Sequence, residues 1–316
     1  MYLKLRSFIQ DNKDSLFPQT KDKEWADQIV NVLFSLASNR PSKFGVYHNR
    51  AIEEIDELLV HYLDDLFEAS KLLDGEGITR LAQTIYLFKT KSFENLWWRI
   101  ENRIHELAEE EGALDLYNIV NIMRSFSRSQ ENVMAGSDKL FQHLEPLVLK
   151  HLPSADPRDL SHLAYSYSIR EVGNPELYQA FNEQILKFVR NNEIFDYQTL
   201  FNLQYYLMFT ENTDFEIWEH IRDSTVIQED LLPLVFYRAF KFASFYMKHH
   251  FPELDQKEFI DKFYYSERYF NAVQMEEKGL SREMFEMKKF LNQKVLVYPI
   301  CQMTFNNLFS LNFVFN

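Results

Sequence analysis

Cysteine is almost missing from this chain. Cys301 is the only one among 316 residues, so neither an internal disulfide nor a multi-cysteine zinc site can form. Glycine and proline are also scarce, at 7 and 9. An all-β fold needs many tight turns and is disfavoured by that poverty. No phosphate-binding loop, dinucleotide fingerprint, kinase motif or Gly-x-Ser-x-Gly elbow occurs. Positive charge is in deficit too, with a net charge of −13, which counts against a protein living mainly on phosphate backbones. Long apolar runs are absent. A spanning helix needs about 20 apolar residues. The one charge-free stretch of that length, Val295–Asn316, carries Pro299, Gln302, Asn306, Asn307 and Asn312. Lys4 and Arg6 hint at an import presequence, but Asp11 and Asp14 follow and such leaders avoid acids.

What the chain has in excess is aromatic residues, 29 Phe and 17 Tyr. Large rings of this number fill a core or coat an interface. Charge is divided unevenly: residues 1–230 hold 23 Lys+Arg against 38 Asp+Glu, and residues 231–316 hold 11 against 9. From about Asp22 to Glu286, apolar residues recur at helical spacing. Ile78, Leu81, Ile85 and Phe88 form one stripe, and Leu116, Ile119, Met123 and Phe126 repeat its offsets. Leu160/Leu163/Tyr167 and Leu200/Leu203/Leu207 repeat the first three. Each is followed by a second stripe: Leu96/Ile100/Ile104, Leu140/Leu144/Leu147, Leu177/Phe181/Ile185 and Ile217/Ile221. Ile29/Val32/Leu36 with Ile52/Ile55/Leu59 make a looser unit of the same kind.

Punctuation agrees with these limits. Asp156-Pro157 and Asn174-Pro175 each set a capping side chain before a proline at the first helical position. Thr213-x-x-Glu216 fits a capping box, and Gly112 and Gly173 stand where left-handed residues end helices. Pro146 falls inside a predicted helix and should kink or split it. The expected fold is therefore all-α, an α-solenoid of antiparallel helix pairs repeating every 38–44 residues with an irregular C-terminal tail. The division expected is 1–73 for N-terminal helices that could cap the array, 74–230 for the array, 231–294 for aromatic C-terminal helices and 295–316 for an uncharged tail. Leu81, Ile119, Leu163 and Leu203 should occupy equivalent buried positions.

The segments Leu116-Tyr-Asn-Ile-Val-Asn-Ile-Met and Asp156-Pro-Arg-Asp-Leu-Ser-His-Leu-Ala-Tyr-Ser-Tyr resemble first helices of octotricopeptide or heptatricopeptide-type repeats. These are the helical-pair arrays of organellar RNA-metabolism proteins, including relatives of the FAST-kinase-like family. The resemblance covers about residues 74–225 and rests on a spacing of Leu and small residues. It implies a mitochondrial or plastid location and, often, RNA binding. The acidity of this chain departs from that pattern, and no C-terminal RAP domain is found.

Chemistry is harder to place. No two of the nine histidines are four apart, so helical metal ligation has no local support. The acidic groups Glu53-Glu54, Asp56-Glu57, Asp64-Asp65 and Glu109-Glu110-Glu111 read as solvated helix faces, and Asp74-Gly-Glu-Gly77 as a helix-entry turn. The expectation is thus a non-enzymatic scaffold, without cofactor or metal, forming part of a larger mitochondrial assembly; a cytoplasmic one is the alternative. Its partners are other protein subunits. The uncharged tail would dock on them through Phe305, Leu308, Phe309, Phe313 and Phe315, since monomers seldom expose so much apolar surface. The alternative is an RNA-processing factor of the same repeat class, with Arg238, Lys241 and Lys248 interleaved with aromatic rings that can stack on bases.

Overall fold

The structure is a computed structural model that describes Asp11, residues 21–38, 63–88, 94–127 and 136–227, positions 243, 244, 246, 247 and 249–251, and the segments 303–305 and 309–311. Ten α-helices account for most of these residues. They are α1 (Lys23–Ser38), α2 (Leu63–Leu72), α3 (Gly75–Phe88), α4 (Glu94–Glu109), α5 (Leu116–Ser127), α6 (Asp138–His151), α7 (Pro157–Arg170), α8 (Pro175–Arg190), α9 (Tyr197–Phe209) and α10 (Phe215–Ile227). A 3-10 turn, Leu152–Ser154, extends α6. The expected all-helical body is observed. In the tail, strands β1 (Met303–Phe305) and β2 (Phe309–Leu311) pair antiparallel with Phe305 opposite Phe309.

Two compact units divide the chain, Met1–Gln184 and Ile185–Asn316, with the boundary inside α8. Within the first unit, α1 packs on α3, α3 on α5 and α5 on α7; in parallel, α2 packs on α4 and α4 on α6. Cross-contacts α1–α2, α3–α4 and α5–α6 close each pair. The helices thus form two rows, one of first and one of second helices. In the second unit α10 packs on α9.

Why the first helices start where they do is plain from their hydrogen bonds. A helix leaves its first N–H groups without intrahelical partners, and an aspartate just ahead can accept one of them. Asp22, Asp74, Asp115, Asp156 and Asp196 each accept the backbone N–H three residues on, at 2.7–3.0 Å. Asn174 and Asp214 do the same for α8 and α10. The last four first-helix caps, Asp74, Asp115, Asp156 and Asp196, recur at intervals of 41, 41 and 40 residues. Counted from these caps, the fourth position holds Ile78, Ile119, Leu160 and Leu200, the seventh Leu81, Ile122, Leu163 and Leu203, and the eleventh Ile85, Phe126, Tyr167 and Leu207; all are buried.

This register corrects the sequence reading in three places. Leu81, Ile119, Leu163 and Leu203 are all buried as expected, but the residue of α5 equivalent to Leu81 is Ile122. Leu116 sits in the half-exposed first turn of α5, so aligning it with Ile78 slid the helix by nearly one turn. In α1 the buried stripe runs through Ala26, Ile29 and Leu33, with Val32 half-exposed. The expected Thr213 capping box is replaced by Asp214, because α10 begins at Phe215; Glu216 instead pairs with Arg190 at 3.0 Å. Asp156 and Asn174 cap as read, and Gly112 and Gly173 have positive φ, although the left-handed residue directly ending α7 is Glu171. Pro146 does not split its helix: α6 runs through it to His151.

Ile122→Ala and Leu163→Ala should each cost about 2–5 kcal/mol, since both delete buried branches at the same repeat position. Half-exposed Leu116→Ala should cost less than about 1.5 kcal/mol. Asp156→Ala should cost about 1 kcal/mol through its lost cap. Urea unfolding of the four proteins measures these differences directly.

Candidate functional site

Because first helices are packed on both sides by their row neighbours, each leaves a narrow exposed line. Two places beyond the cap, that line carries Glu76, Tyr117 and Arg158, all exposed. Six places beyond it stand half-exposed Arg80 and Asn121 and buried His162, and nine places beyond it half-exposed Gln83, Arg124 and Tyr165. These positions also connect the row. Arg80, at the sixth place of α3, donates to the Asn31 side chain at the ninth place of α1. Gln83, at the ninth place of α3, donates to Asn121, at the sixth place of α5, at 2.7 Å. The same two repeat positions therefore make a polar rung at both junctions, and Arg124 and His162 occupy them on α5 and α7.

The second row is different. Glu101 on α4 is 4% exposed, and its carboxylate accepts the Ser137 N–H at 2.9 Å and the Ser137 hydroxyl. Gly136, with φ +65, is needed beside it, since a Cβ there would lie 2.6 Å from the Phe126 ring. Next along α4, the His105 ring stands edge-on to His143 of α6, and His143 Nε2 reaches Glu109 at 3.2 Å. These histidines tie α4 to α6. Asp74, read as part of a helix-entry turn, does cap α3, and Lys23 at 2.6 Å with the Gly77 N–H holds its carboxyl below the ordinary range.

One carboxyl has no such support. Glu145 of α6 is 6% exposed, beside the loop that leads into α8. Its Oε1 is sealed from water and has no hydrogen-bond partner, and the Asn174 backbone N–H lies near the carboxyl. The nearby hydroxyls are directed elsewhere: Tyr167 donates to the Phe141 carbonyl at 2.9 Å and Tyr178 to that of Val172 at 2.5 Å. Burial raises the Glu145 carboxyl above its ordinary value, the Asn174 N–H opposes this, and Glu176 adds to it. A cleft of about 540 Å³ opens here, with Gln142, Glu145, Pro146 and Leu149 on the α6 side and Gly173, Asn174 and Glu176 on the α8 side. No periodicity singles out Glu145. The signal in the sequence was the Glu-Pro step inside a helix.

The anticipated partner-binding and RNA-binding residues fare unevenly. Phe305 and Phe309 are backbone register partners in β1 and β2; Leu308, Phe313 and Phe315 lie outside the described residues, as do Arg238, Lys241 and Lys248. Within the stretch containing those cations, Ala243, Ser244 and Met247 are buried and Tyr246 stacks on Trp218 at 5.0 Å. Ala243, Ser244 and Met247 belong to the core, Tyr246 is half-buried, and His249 and His250 are exposed. Trp97 is likewise buried against Phe126, while its neighbour Trp98 is 51% exposed. No group of three metal-ligating side chains occurs among the described residues, and no described helix is long and apolar enough to cross a membrane.

No protein-family model matches the chain, and no curated protein matches it. The likeness to octotricopeptide-type arrays rests on helix spacing alone.

A carboxyl whose folded-state value is raised favours folding most when protonated. Its stability contribution is full below the unfolded value near 4.5 and is lost as pH rises through the folded value. Glu145→Gln should therefore raise the melting temperature at pH 7.5, with the gain shrinking toward zero as pH is lowered to about 4. Thermal melts of both proteins across that range supply the check.

Proposed function

We propose that this chain is a non-enzymatic helical-repeat scaffold, a subunit of a larger protein assembly. The observation that carries this reading is the cap-phased pairing of helices in two rows, which leaves repeated side chains from successive helices along one line. Stacked pairs cannot bury their faces alone, and they present extended surfaces suited to partners. Continuation of the stack through α9 and α10 as an α-solenoid is part of the proposal, as is the docking of the uncharged 295–316 tail on another subunit. An organellar setting is proposed from the repeat resemblance.

A second reading, RNA binding by the same array, is favoured by one feature. Arg80, Arg124 and Arg158 lie with Tyr117 and Tyr165 on the first-helix line of an otherwise acidic chain. Guanidinium groups and rings at repeat positions are suited to single-stranded bases.

Affinity purification of the tagged full chain should recover a defined set of proteins and no RNA. Deleting residues 295–316 should abolish that recovery while leaving helical circular dichroism nearly unchanged. Nuclease-sensitive RNA retention that weakens steeply with salt, and weakens again in Arg124→Ala, would favour the RNA reading instead.

A further inference from the structure

The Glu145 cleft combines features that single out one kind of occupant. Its chemistry is dominated by acceptors. Glu145 and Glu176 supply two carboxylates, and none of the lining residues is a cation. Pro146 has no N–H to return to the carbonyl of Gln142, four residues earlier in α6, so this backbone lacks its usual helical donor where Gln142 borders the cleft. Apolar walls come from Pro146 and Leu149. The start of α8 brings a partial positive charge of about half a unit, too little to offset two carboxylates. A buried carboxyl oxygen without a partner is costly, and a donor that reached it would relieve the cost.

We propose that this cleft receives a lysine side chain from a partner polypeptide, its methylene stem against Pro146 and Leu149 and its ammonium at Glu145, with Glu176 on the rim. The terminal torsion of a glutamate is soft, so a small carboxyl turn brings Oε1 to the cleft. Lysine fits better than arginine for a geometric reason. A guanidinium fork needs two oxygens in one plane, whereas Glu145 holds a single buried, unpartnered oxygen, Oε1. An ammonium is a point charge with three free donors and needs only one. This inference rests on the scaffold reading, and names the chemistry by which one partner is held.

The test uses the full-length, isotope-labelled chain and a small probe, Nα-acetyl-lysine methylamide. Saturable shifts of the Gly173 and Asn174 amide signals are expected, with a dissociation constant on the order of millimolar for so small a ligand. The Nζ-acetylated probe, which lacks the charge, should produce none. Glu145→Gln should weaken the lysine probe by about tenfold or more, and Glu176→Gln, at the exposed rim, by only about two- to threefold. Equal response to both probes, wild-type affinity in Glu145→Gln, or no saturable shift (a cleft that holds water only) would overturn the proposal. No partner protein enters the titration. A silent cleft in a chain that still purifies with its partners defeats this inference alone; a responsive cleft in a chain without partners defeats the scaffold reading.

Discussion

Each first helix begins where an aspartate closes on the amide three residues ahead, and that closure sets the phase of everything after it. A helix is a rigid ruler with 3.6 residues per turn, so fixing its first residue fixes which side chains face its neighbours. From Asp74, Asp115, Asp156 and Asp196 the same three buried positions follow, and within the first unit the rows pack because these positions agree. A negative charge at a helix start is favourable in itself. Part of the chain's acidity is therefore structural.

The sequence made the helices legible because their apolar stripes are long and regular. It made the caps at Asp156 and Asn174 legible because a proline follows each. Asp115 went unread for a physical reason: Leu116 and Tyr117 extend the apolar pattern of α5 past its buried stripe, so the stripe looked as if it began three residues early. Asp214 was hidden by Thr213, an equally good capping residue one place too soon. The interval between caps turns out more regular than the interval between apolar anchors, because a cap has one geometry and a core position tolerates several side chains. Beyond the Glu145-Pro146 step, the cleft was not legible, since it depends on what α6 and the start of α8 bring together from distant parts of the sequence.

Carboxylates in this chain fall into two physical groups. Those of Asp74 and Glu101 are surrounded by donors, from Lys23 and Gly77 in one case and Ser137 in the other. Glu145 has no partner for Oε1 and sits beside a second carboxylate, Glu176. The first group holds helices in register. A group like the second is a stability cost that folding does not require.

The rungs Asn31–Arg80 and Gln83–Asn121 give the first-helix row a directional stiffness. Sliding one helix along its neighbour by a single residue moves it about 1.5 Å and would pull both partners of a rung apart. Tilting one pair against the next about the line of rungs leaves those bonds nearly unchanged in length. The row therefore resists shear while allowing the pairs to fan, like the pages of a book bound along one edge.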